Sequence, residues 1–230
     1  MDIIAPMTIG ELAVTNYRSI RELRIELGTM TVVVGRNGSG KSNLYRSMVL
    51  LAAAAEGRLA RTLLEEGGMP SVLWAGPRQT RGKRKREPVR MIIEVTLDEL
   101  HYTLEFGLPK PSRSAFALDP EIKAECVWTM DGRRKVVLAE RKASSAWVRD
   151  DEGHRETYAA ALDPAESMLA QLKDPRRFPV LGALRTAFTQ WRFYHHFHSH
   201  VQAAARQRQA GVRTPVLASD GSDLGAALQT

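Results

Sequence analysis

Cysteine is almost missing from this chain. Cys126 stands alone among 230 residues, so no internal disulfide can form, and a reducing compartment is expected. Cys126 itself reads as a small buried hydrophobe on a strand. Long apolar runs are lacking too. The longest, Met48 to Ala55, falls far short of the ~20 residues that a membrane-spanning helix needs. The N-terminus, MDIIAPMTIG, has neither the basic start nor the long apolar stretch of a secretory signal. No membrane partner is expected, and the cytoplasm is the expected location. Acidic residues are absent from one stretch, Arg78 to Arg86 (RQTRGKRKR), which holds six basic residues. Of the net charge of +7, six units therefore fall in one loop, and the rest of the chain is nearly neutral. A charge so concentrated suits contact with a nucleic acid, or else a solvated surface loop; both readings stay open. No aromatic interleaves the run, so nothing there points to base stacking.

What the chain does have is Gly35 to Ser42, GRNGSGKS, directly after the apolar run Met30 to Val34 (MTVVV) and directly before a helix-forming stretch, Asn43 to Ala55. The pattern G-x-x-x-x-G-K-[ST] between a strand and a helix describes a phosphate-binding loop. Gly35, Gly38 and Gly40 permit positive φ angles and close approach of backbone to ligand. Successive N–H groups, those of Asn37 and Ser39 among them, and the helix N-terminus then converge on phosphate oxygens. Lys41 is expected on the β- and γ-phosphates, with the Ser42 hydroxyl on Mg²⁺. Nucleotide binding, with ATP and Mg²⁺ as cofactors, is the expectation. The β-branched run before the loop predicts a strand buried on both faces.

Around this loop, Ile9–Val14 and Ile20–Leu27 read as strands joined by a turn at Asn16-Tyr17-Arg18-Ser19. Leu59–Glu66 reads as a helix stopped by Gly67-Gly68. From Val89 onward the texture is strand-like: VRMIIEVTL, HYTLEFGL, then Ile122–Met130, Lys135–Ala139 and Ala146–Arg149, with a hairpin at Asp131-Gly132. Pro179–Gln190 reads as an amphipathic helix, and WRFYHHF (Trp191–Phe197) as a strand. The expected organisation is one domain over 1–230: a core at 7–58, a basic loop at 77–88, antiparallel strands at 89–150, and a helical section and tail at 163–230. His195, His196, His198 and His200 crowd together, but no Cys or carboxylate lies near them, and they read as structural. The four tryptophans read as core or rim packing.

The stretch LAVTNYRSIRELRIELGTMTVVVGRNGSGKSNLYRSM resembles the N-terminus of ABC-type ATPases of the SMC, RecF and OLD kind. There an N-[FY]-[RK]-S segment, here Asn16 to Ser19, precedes G-x-N-G-S-G-K-S-N, here Gly35 to Asn43. Later segments (MLAQLKDPRRFPVL, WRFYHHF, LASDGSDLGAAL) look like bacterial RecF-like AAA-family ATPases. The resemblance implies an α/β P-loop head: a mixed sheet around the Lys41 helix with a flanking antiparallel section. It also implies dimers that sandwich ATP, Arg18 and Ser19 beside the nucleotide, and Asn43 in the loop. A glutamine sensing Mg²⁺ and the γ-phosphate is implied as well, with Gln171 the first candidate and Gln79 the weaker one. A role in DNA repair, recombination or defence follows from the same likeness.

A hydrolytic head needs a hydrophobic strand ending in Asp-Glu and a signature motif. Neither is found. Val95-Thr96-Leu97-Asp98-Glu99 and Val136–Glu140 come nearest to the strand but read as a strand end or a turn. Leu217–Ser222 resembles a relaxed signature, and Asp220-Gly221 is read as a structural turn. The expectation is a first lobe whose second lobe is missing, hydrolysing ATP poorly or not at all alone. Partnership with a missing C-terminal lobe or a second copy is expected. The alternatives are a self-contained small phosphotransferase using Asp98 or Glu99, and a truncated, non-catalytic nucleotide-binding protein.

Overall fold

The computed structural model describes residues 7–76, 89–111, 116–150, 152–195 and 197–230. The chain divides into two compact units, residues 1–189 and 190–230.

The first unit is built on eight strands: β1 Ile9–Tyr17, β2 Ile20–Glu26, β3 Arg90–Leu97, β4 Leu100–Gly107, β5 Glu121–Asp131, β6 Arg134–Lys142, β7 Ser145–Arg149 and β8 Arg155–Thr157. They form one sheet in the order β2-β1-β3-β4-β5-β6-β7-β8. Every pairing in it is antiparallel. From β3 onward the sheet is a meander, and period-2 alternation fixes its register. Met91, Ile93, Val95 and Leu97 of β3, and Tyr102, Leu104 and Phe106 of β4, are buried, while the residues between them are only partly covered. A two-residue turn joins these strands, pairing Leu97 with Leu100, and Asp98 takes φ 51° there.

Between β2 and β3 come α1 Lys41–Glu56, α2 Leu59–Glu65 and α3 Met69–Val72. At sixteen residues, α1 is about 24 Å long. It ends at Gly57 (φ 77°), where Arg58 N–H bonds back to Ala53 O at 2.7 Å. Its last turns, Leu50 to Ala55, are wholly buried. After β8 come α4 Met168–Gln171 and α5 Pro179–Gln190. Phe188 of α5 packs against Tyr102 of β4 with ring centroids 5.5 Å apart, which places α5 on the apolar face of the sheet. On the other face, His101 and Trp128 stack at 3.7 Å, and the Lys135 ammonium lies 4.4 Å from the Trp128 ring centre.

A buried polar network ties this sheet to α4. Arg141 on β6 and Glu125 on β5 form an ion pair at 3.2 Å with both side chains at 0% exposure. Glu125 also accepts from the Tyr102 hydroxyl (2.6 Å), the Ser167 hydroxyl (2.5 Å) and Met168 N–H (2.8 Å). Arg141 donates to the carbonyls of Ala143, Asp163 and Glu166. Burial, with the Glu125 charge beside it, drives the Tyr102 hydroxyl well above its ordinary pKa.

Three expectations are corrected. The sheet is wholly antiparallel rather than mixed. Met30–Val34 is not a strand buried on both faces. It carries no strand pairing, and Met30, Val32 and Val34 are 87%, 72% and 84% exposed. β-propensity alone does not bury a strand; neighbouring strands do, and none lies beside this segment among the described residues. Trp191–Phe197 is likewise not a strand: its described residues are irregular. Trp191 and Phe193 meet edge-on at 6.4 Å, and His196 lies outside the described residues.

The second unit has little regular structure: a 3₁₀ turn at Ala204–Arg206 and a short α6, Leu224–Gln229. Asp220 accepts from Ser222 N–H at 3.0 Å and Gly221 takes φ 74°, a local turn. The His198 and His200 rings lie 5.6 Å apart. Among the described residues no group of three or more His, Cys, Asp or Glu is placed to hold a metal ion.

Candidate functional site

Residues 37–43 line a hollow of about 400 Å³ at the N-terminus of α1. Gly38 and Gly40 take φ 82° and 97°, which only glycine adopts without strain. Gly35 has no positive φ, but a methyl added there would stand 2.8 Å from Ser39 Oγ. Lys41 is the first helical residue, and its ammonium donates to the carbonyls of Gly35 (2.6 Å) and Arg36 (2.8 Å). The first bonds back to Gly40 O come from Asn43 N–H (2.9 Å) and Leu44 N–H (3.1 Å). The N–H groups of Lys41 and Ser42 therefore precede the helical ladder. With the Lys41 charge they make a hollow chemically suited to an anion. Ser42 is among the residues that line it.

The β1–β2 turn stands against this hollow. Ser19 Oγ accepts from Asn43 Nδ2 at 2.9 Å, and a methyl on Gly40 would lie 2.9 Å from that oxygen. Arg18, one residue before, takes φ 48°, and its N–H donates to Val72 O at 2.7 Å. The Arg18 guanidinium is held by Glu66 just beyond α2: Nε and Nη2 meet Oε2 at 3.0 and 2.7 Å, and Nη2 meets Glu66 O at 3.2 Å. The Tyr17 hydroxyl donates to the same Oε2 at 2.6 Å. Burial first, and the Glu66 carboxylate second, push the Tyr17 pKa far up. Asn16 (φ 60°) binds both flanks of the segment that carries the basic run: its carbonyl accepts from Trp74 N–H at 3.0 Å, and its Nδ2 donates to Arg90 O at 2.9 Å. Neither Glu66 nor this use of Asn16 was found from the sequence. For Glu66 the only signal was an acid at the end of a helix beside Gly-Gly.

The structure brings Ser19 to the loop residues and does not bring Gln171 there. The Gln171 amide closes the turn before α4, donating to Asp163 O (3.2 Å) and Glu166 O (2.8 Å) and accepting from Asp163 N–H (2.8 Å). Its neighbour Ala170 lies 3.5 Å from a methyl built on Gly57, at the end of α1 remote from Lys41. Gln79 and Arg78–Arg86 lie outside the described residues. Asp98 caps Thr8 N–H at 3.1 Å from its hairpin turn, and neither Asp98 nor Glu99 lines the hollow. Glu140 accepts from Trp147 Nε1 at 3.2 Å, and its pKa is lowered, chiefly by its hydrogen bond to Lys142.

A second cavity, about 540 Å³ and largely apolar, lies between the β1–β2 pair and α1. Leu12, Ile25, Val33, Leu44 and Met48 line it, and it meets the hollow at Lys41.

Together, a glycine-shaped loop, a helix N-terminus and a lysine at its mouth make a hollow whose chemistry suits phosphate-bearing ligands. Residues 7–98 match the protein-family model described as AAA ATPase domain. That match supports an AAA-type ATPase domain, and with it nucleotide binding, over this stretch of the chain. No curated protein matches the chain significantly. Among the described residues, no helix is long and apolar enough to cross a membrane.

Proposed function

We propose that the chain is an ATP- and Mg²⁺-binding module of an SMC- or RecF-like AAA ATPase acting in DNA metabolism or defence. The observation that carries this reading is Lys41. Its ammonium sits at the mouth of α1 on two loop carbonyls, sites of partial negative charge that phosphate oxygens can replace. Gly35, Asn37, Gly38, Ser39, Gly40 and Asn43 would hold the phosphates, with Ser42 on Mg²⁺ and Ser19 and Arg18 alongside. Among the described residues no carboxylate lines the hollow, and in this reading the module binds ATP and leaves hydrolysis to groups supplied by a second lobe or a partner copy. Arg78–Arg86 is the nucleic-acid contact in this reading.

Titration of the full chain with ATP and Mg²⁺ tests it. Wild type takes up ATP and gains about 2.7 kcal/mol of stability at a hundredfold excess over Kd. Lys41→Ala removes both effects. A Mg²⁺-dependent turnover that Lys41→Ala abolishes would overturn the binding-only assignment, and binding unaffected by that substitution would overturn the site.

A further inference from the structure

We propose that Met30–Val34 is the docking strand of a twofold dimer: it pairs antiparallel with the same segment of a second copy of this chain. Its side chains alternate as those of a strand do. Thr31 and Val33 line the apolar cavity, while Met30, Val32 and Val34 lie outside that lining and are exposed. Among the described residues no backbone hydrogen bond involves residues 30–34, so a row of N–H and C=O groups is left to water. Sheet edges are usually guarded by charge. β2, at one end of the sheet, is guarded in that way, with Arg21, Glu22, Arg24 and Glu26 exposed along it. From Leu27 to Gly35 there is no charged residue. Such a strand selects a mate of its own kind, because a charge placed opposite it would lose water and gain no partner. The strands that supply the core, β1 and β3 to β7, are each already paired on both sides. The mate left is the same segment in a second copy, and a self-complementary patch closes a twofold dimer. Overlap of all five residues sets Val32 opposite Val32, Thr31 opposite Val33 and Met30 opposite Val34. Opposite residues share a face of the sheet, so Thr31 and Val33 of both copies lie over the two cavities and Met30, Val32 and Val34 cover one another on the other side. Five residues a side bury well under the ~800 Å² per partner of a standard interface, so the dimer is weak, with a dissociation constant on the order of 10 μM. No residue of 37–43 enters the pairing, so the dimer does not depend on nucleotide.

The test is sedimentation velocity of the full chain without nucleotide, over about 1 to 200 μM, a range that brackets that constant. Wild type passes from monomer to a discrete dimer as concentration rises. Val32→Lys sets a charge opposite its own copy and removes the dimer, while thermal unfolding of the monomer is unchanged because the position is exposed. Cysteine cross-linking by copper–phenanthroline in a Cys126→Ala background reads the register independently. Opposite Cα atoms of an antiparallel pair are ~4.5–5.5 Å apart, within disulfide reach, and residues one diagonal step away, at ~7–8 Å, are beyond it. Val32→Cys therefore links to itself. Thr31→Cys and Val33→Cys each link poorly alone and link to each other when mixed. A chain that stays monomeric throughout the range overturns the proposal and leaves the strand to a different polypeptide. Open-ended oligomers in place of a dimer, a dimer that survives Val32→Lys, or Thr31→Cys linking to itself as readily as Val32→Cys overturn it as well.

Discussion

Glu125 sits in a position that simple alternation assigns to an apolar side chain. It lies inward on β5 between Ile122 and Val127, and Arg141 lies inward on β6 two residues after buried Ala139. Each charge is offset by the other and by three further hydrogen bonds of its own, so the network is satisfied only while whole. Removing one partner of such a pair leaves the other charge buried and uncompensated, which costs about 3–5 kcal/mol. Arg141→Met is therefore expected to lower the unfolding free energy by that amount in urea titration. A loss under about 1 kcal/mol would show that water reaches Glu125. The effect belongs to stability, since α4, which the network anchors, packs at the C-terminal end of α1 and not at the phosphate hollow.

At the scale of the element, the segment between β2 and α1 is the one whose surroundings contradict its composition. Met30, Val32 and Val34 point their apolar surface at solvent, while Thr31 and Val33 line the 540 Å³ cavity. Five strand-forming residues with an exposed face are a ready template for pairing with another chain. Val32→Thr with Val34→Thr is expected to suppress concentration-dependent association in sedimentation or light scattering. Thermal stability should change by less than about 1 kcal/mol, because neither side chain is buried. Unchanged association would place the sticky surface elsewhere. The strands of the meander were legible in sequence because alternation of Met91, Ile93, Val95 and Leu97 is a property of the segment itself. The loop was legible for the same reason, since its glycines, Lys41 and Ser42 are contiguous. Burial of Met30–Val34 was not legible, because it depends on which strand lies next to it. The Arg18–Glu66 contact was hidden too, since its members are 48 residues apart and joined only by the fold.

For the molecule as a whole, the decisive asymmetry is where the buried residues lie. Every buried hydrophobic side chain among the described residues belongs to residues 12–188, with the single exception of Ala203. The sheet, the helix bearing Lys41 and the family match at 7–98 all fall in the unit ending at Thr189. Residues 190–230 contribute a 3₁₀ turn and one six-residue helix with no buried residue. The urea dependence of unfolding scales with the surface exposed when the structure opens. A chain ending at Thr189 is therefore expected to unfold in one transition, with a slope within about 15% of that of the full chain. If it also binds ATP with the full chain's affinity, the phosphate site is independent of the second unit, as its lining at 37–43 requires. A slope lower by a third or more would mean that residues 190–230 carry a large share of the buried surface, contrary to the distribution of the core.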